Sequence, residues 1–188
     1  MLDKEYINGV KERMTKSDTE RREIIKDSGD ALHLAKRAIF SLHREDTTDA
    51  ELKMQESKNI ILELQKKFDI NVLDAQGSYR AGLEEIVEAS LFFDFIGGKD
   101  FGEIKLNVPD DVYIAGLCDV PGELLRYAVR FATKRDFEMA QRCQETAQEV
   151  VGGLIQFNLT SYLRTKLDQA KNAVRKLEQV NYELSLRK

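Results

Sequence analysis

The sequence predicts an all-α protein, a single-domain bundle of about six to seven helices. Three observations carry that expectation. The 188-residue chain has only two prolines, Pro109 and Pro121, so long helices run unbroken. Apolar residues recur three and four apart, and the strict alternation that marks a strand is almost absent. At this length one sizeable core can be buried, and no repeat or low-complexity linker divides the chain.

The elements follow in order. Ser17-Asp18-Thr19-Glu20 reads as a capping box that opens a helix to about Arg44, with a further turn or two before it. Ile24, Ala31, Leu34, Ala35, Ala38, Ile39 and Leu42 form its apolar stripe. Thr48-Asp49-Ala50-Glu51 is a second capping box, starting a helix to about Phe68. A third helix spans about Leu73 to Phe95 and stops at Gly97-Gly98. Lys99 to Val108 is the long loop, and Pro109 sits where a helix begins. A fourth helix covers Asp110 to Ala132 with Pro121 inside it, and a fifth covers Phe137 to Phe157. The last starts near Ser161. Its residues Leu163, Leu167, Ala170, Val174, Leu177, Asn181 and Leu184 make a heptad seam, which packs within the bundle or against another subunit.

Composition excludes several classes. No stretch approaches the ~20 apolar residues of a membrane span. The first residues mix both charges and lack an apolar signal core, and Cys118 and Cys143 have neither metal-type spacing nor a disulfide framework. The expected location is cytoplasmic, or nuclear in a cell with a nucleus, with no membrane partner. A net charge of −4 argues against wholesale coating by nucleic acid, not against a local basic face.

Four acids lie in apolar surroundings. Glu88 is followed at i+3 and i+4 by Leu91 and Phe92, and Glu85 lies one turn earlier on its face. Asp119 ends the run Tyr113-Ile114-Ala115-Gly116-Leu117-Cys118, and Glu123 follows it at i+4. Between them Pro121 removes a backbone donor and Gly122 weakens the helix, a local penalty that sequences accept more often at functional sites. Same-face acid pairs are also ordinary on solvated helices. The chemistry that fits a site is hard-cation binding, since Mg²⁺ takes oxygen ligands and keeps several waters. On the residues alone both readings stand.

Longer motifs carry a resemblance. Ala35-Lys36-Arg37-Ala38-Ile39-Phe40-Ser41-Leu42-His43-Arg44, Gly82-Leu83-Glu84-Glu85-Ile86-Val87-Glu88-Ala89 and Tyr113 through Arg126, with its Asp119-x-x-Gly122-Glu123-Leu124-x-Arg126 element, resemble Trax-type members of the translin/Trax family. Tyr79-Arg80 and the segment from Leu163 to Arg187 look more like translin, whereas the histidine that translin carries four residues after that arginine is Glu84 here.

The resemblance implies a helical bundle that assembles into an octameric shell enclosing RNA, here a homo-oligomer, with a separate translin-type partner as the alternative. It also implies a Mg²⁺-dependent endoribonuclease whose carboxylates fall on Glu85, Glu88, Asp119 and Glu123, with Mn²⁺ able to replace Mg²⁺. One or two ions would activate water and neutralise charge on the phosphodiester. Expected contacts to nucleic acid are Arg21, Lys36, Arg37, Arg44 and Arg80, mainly to backbone phosphates. His43 reads as structural. Arg164, Lys166, Lys171, Arg175 and Lys176 form a second basic face or a solvated one. Two alternatives stand beside the nuclease. One is a binding-only shell for RNA or single-stranded DNA. The other is a helical module that oligomerises through the heptad seam and leaves the four acids unexplained.

Overall fold

The structure, a computed structural model, describes residues 1–186. Those residues form seven α-helices and no strand: α1 Lys4–His43, α2 Thr47–Lys67, α3 Ile70–Asp74, α4 Gly77–Ile96, α5 Asp110–Thr133, α6 Phe137–Leu154 and α7 Ser161–Ser185. Arg187 and Lys188 lie outside the described residues.

The all-α expectation holds, with corrections at the ends of elements. α1 does not start at Ser17. It is a single helix of 40 residues, capped by Asp3, whose carboxylate accepts from the backbone N–H of Glu5 and Tyr6. No proline interrupts residues 4–20, and Thr15 and Thr19 bond back to the carbonyls of Lys11 and Thr15 instead of opening a new helix. The second capping box is likewise unused: Asp46 caps α2 by accepting from Asp49 N–H. Leu73 belongs to the short α3, and α4 begins at Gly77. α5 begins at Asp110 as expected, with Pro109 as its N-cap. α4 ends where expected: Gly98 takes φ 70°, and Lys99 N–H bonds to the Asp94 carbonyl.

α1 packs on α2 and α4, α5 packs on α6 and α7, and the α4–α5 contact joins the two halves. Gly116 sets that joint, and Gly82 sets the α1–α4 contact. A Cβ on Gly116 of α5 would lie 2.7 Å from the Glu84 carbonyl oxygen and 2.8 Å from Val87 Cβ on α4. A Cβ on Gly82 would meet the Ser28 carbonyl oxygen of α1 at 3.1 Å. Both helices therefore approach α4 backbone to backbone. Beside the joint, Phe92, Phe95, Tyr127 and Phe131 form a continuous aromatic group, with Phe92 and Tyr127 edge to face at 5.5 Å.

The heptad seam of α7 is internal. Leu167, Ala170, Val174, Leu177 and Leu184 are buried, and Asn181 donates to the Ala140 carbonyl of α6 at 3.1 Å. The first turns of α1 have no such cover. Tyr6, Ile7 and Met14 are exposed, and the buried residues of α1 begin at Ile24. Among the described residues no helix is long and apolar enough to cross a membrane.

Candidate functional site

The α4–α5 joint gathers all four acids singled out from sequence. Glu85 and Glu88 sit on α4, Asp119 and Glu123 on α5, close enough that each of the last two raises the pKa of both α4 acids. Burial is the larger cause. It pushes Glu88, only 8% exposed, up to about 9, with Asp119, Glu85 and Glu123 adding to it. Glu85 rises to about 7, again chiefly through burial, while Lys36 pulls the other way from 3.8 Å. Asp119 is raised too, because burial outweighs its hydrogen bond to a lysine.

That lysine is Lys166 of α7. Its ammonium donates to both Glu84 and Asp119 and lies 5.2 Å from the centre of the Tyr162 ring. Tyr162 in turn donates its hydroxyl to Glu84. Burial works to strip Lys166 of its proton, but the bonds to Asp119 and Glu84 outweigh it and hold the ammonium more firmly than in a free lysine. On the opposite flank His43 Nε2 is hydrogen-bonded to Glu123 Oε2, and the ring packs on Phe92 at 5.0 Å. His43 Nδ1 is buried with no hydrogen-bond partner. Four helices thus converge: α4 and α5 bring the acids, α1 supplies Lys36 and His43, and α7 supplies Lys166 and Tyr162.

The expected phosphate contacts are scattered. Lys36 is drawn to Glu85. Arg80 is bonded to Asp111, at the edge of a shallow pocket of about 420 Å³ that also reaches Glu84 and Tyr162. Arg44 lies just past α1, 5.1 Å from the Phe40 ring, and Arg21 and Arg37 are exposed on α1. A larger cavity of about 550 Å³, lined in part by Tyr113, Ile114, Leu117 and Arg142, opens on the other face of α5 and holds none of the four acids.

Lys166 corrects the sequence reading of α7. Arg164, Arg175 and Lys176 are exposed, but Lys166 is buried and turned inward. The signal was present: Lys166 lies three residues after Leu163 and next to Leu167, on the border of the apolar seam. Glu84 shows no such signal beyond its neighbour Glu85.

The donor set suits a hard divalent cation, since it is all carboxylate oxygen, and three of the four acids resist ionising together without more positive charge nearby. With Lys166 on Asp119 and His43 on Glu123, no three acid, histidine or cysteine side chains among the described residues converge as ready metal ligands.

Fold and site define an all-helical bundle whose acidic centre is buttressed by basic side chains from flanking helices. The Translin family profile matches residues 98–188. The chain is 27% identical over 213 residues to the Translin-associated protein X homolog of Schizosaccharomyces pombe, covering 99% of this chain and 89% of that one. It is 29% identical over 105 residues to translin of Gallus gallus, covering 55% and 46%. The structure described as "AfC3PO - duplex RNA complex" superposes with a TM-score of 0.85 at 21% identity, covering 97% of this chain and 98% of that chain. Residues 98–188 thus resemble the Translin family, and nearly the whole chain is similar to a Translin-associated protein X homolog.

Proposed function

We propose that this chain is a cytoplasmic, Mg²⁺-dependent endoribonuclease subunit that binds and cuts short or single-stranded RNA within an oligomeric shell. The observation that carries the reading is the convergence of Glu85, Glu88, Asp119 and Glu123 across the α4–α5 joint. These side chains would hold the ion, and Mn²⁺ satisfies the same oxygen donors. When bound, the divalent ion supplies water activation and neutralises charge developing on the phosphodiester. Without a metal Glu85 is raised to about 7, chiefly through burial, and a bound cation would favour its charged form. Arg21, Lys36, Arg37, Arg44 and Arg80 are the cations that would meet backbone phosphates. The relative named Translin-associated protein X homolog and the duplex-RNA complex of a protein with the same fold support a nucleic-acid substrate. The exposed Tyr6, Ile7 and Met14 on α1 support self-association, for which a homo-octamer is the proposed form and a translin-type partner the alternative.

A second reading has its own observation. Lys166 already neutralises Asp119 and Glu84, as it would in a shell that only binds RNA or single-stranded DNA. One experiment separates the two. Labelled single-stranded RNA is incubated with wild type and Glu123→Ala, in Mg²⁺ and in excess chelator. Cutting by wild type in Mg²⁺ alone, lost in the variant, supports the nuclease. Binding by both proteins in chelator with no cutting in Mg²⁺ leaves the binding shell.

A further inference from the structure

Lys166 occupies the position from which a cation neutralises Asp119. Its side chain is 10% exposed, and its ammonium bridges two helices' worth of acid, Glu84 on α4 and Asp119 on α5. Glu84 and Tyr162 hold it from the far side: the tyrosine hydroxyl lies 2.9 Å and 3.1 Å from the two Glu84 oxygens, and its ring lies beneath the ammonium. A lysine stem with this little exposure has little freedom to swing into water. A divalent ion at Asp119 and an ammonium at the same carboxylate repel each other at a few ångströms, where screening is weak.

Resting on the carboxylate-metal reading above, we propose that Lys166 is a tethered counter-ion of the acidic centre. A divalent cation must move it off Asp119 in order to bind. Glu84, steadied by Tyr162, keeps the ammonium nearby when that happens. Lys166 is then a positioning residue: it holds Asp119 in place without metal and sets how much metal the site requires.

The test uses Mn²⁺ as the probe, counted by the loss of its free-ion electron paramagnetic resonance signal, on the full chain as wild type, Lys166→Met, Lys166→Gln and Lys166→Arg. Removing the charge is expected to tighten Mn²⁺ binding by at least about tenfold, with Lys166→Arg close to wild type. In chelator, Lys166→Met is expected to melt earlier than wild type and to gain more from added Mn²⁺. If both neutral variants unfold in chelator, recovery of their helical circular dichroism on adding Mn²⁺ supports the proposal, and failure to recover overturns it. Unchanged or weaker Mn²⁺ binding by the neutral variants, with wild type binding, overturns the role of Lys166 and leaves the metal site standing. If wild type and every variant fail to bind Mn²⁺, the metal site falls and this proposal falls with it.

Discussion

His43 on α1 and Glu123 on α5 stand 80 residues apart in the chain and share a hydrogen bond through Nε2 and Oε2. The imidazole is 4% exposed and wedged against Phe92 and Tyr127, so it fixes the carboxylate from a rigid base. Truncating it removes packing and the bond together. His43→Ala is expected to lower unfolding stability by about 2–3 kcal/mol in urea titrations. In the nuclease assay the same change is expected to reduce cutting by more than ~10-fold, because Glu123 loses its orientation. Undiminished cutting would show that Glu123 needs no anchor.

The pH response of stability follows from Glu88 and Glu85. Both are raised in the folded chain, to about 9 and about 7, so between pH 4.5 and those values the folded state holds protons that the unfolded chain has released. Stability without metal is therefore greatest at the acid end of this window and falls as pH rises through 7 and then 9. Glu88→Gln cannot ionise. In chelator at pH 8 it is expected to melt at least about 3 °C above wild type, with little difference at pH 5. Equal melting at both pH values would show that Glu88 ionises without penalty.

Gly116 tests the joint itself. A methyl group there meets the Glu84 carbonyl oxygen and Val87, and both are fixed by α4. Gly116→Ala is expected to cost about 1–3 kcal/mol and to separate the helices that carry the acids. Mn²⁺ binding should weaken more than a gain in helix propensity could offset. Gly122→Ala is the control, since its Cβ would meet nothing within 4 Å.

Sequence pattern revealed the helices because burial repeats along them at helical spacing. Ile24, Ala31, Ala35, Ala38, Ile39 and Leu42 are all buried on α1, as their spacing required. Helix starts were less legible. Ser17 and Thr48 looked like caps, but a cap works only where the chain turns, and Asp3 and Asp46 hold those places. The acids stood out through their apolar neighbours, and the structure brings Glu85, Glu88, Asp119 and Glu123 together. The partners of those acids were not legible. Lys166 is 47 residues from Asp119 and 82 from Glu84, and only folding brings those positions together.

Salt dependence separates phosphate contacts from structural cations. Arg37 is exposed on α1, whereas Lys36 is drawn to Glu85 and Arg80 to Asp111. Arg37→Ala is therefore expected to weaken RNA binding alike across sequences and to reduce the slope of log affinity against log salt by about one. Fluorescence anisotropy in chelator at several salt concentrations reads this directly. An unchanged slope would remove Arg37 from the interface.

The distance along the chain between Asp119 and Lys166 also has a temporal meaning. A ribosome delivers the acids of α4 and α5 first and their ammonium 47 residues after Asp119. At ordinary synthesis rates that is a gap of roughly 2–10 s. During it Asp119 and Glu84 stand without the ammonium that holds them in the folded chain. Docking of α7 closes that interval and gives both carboxylates their partner at once.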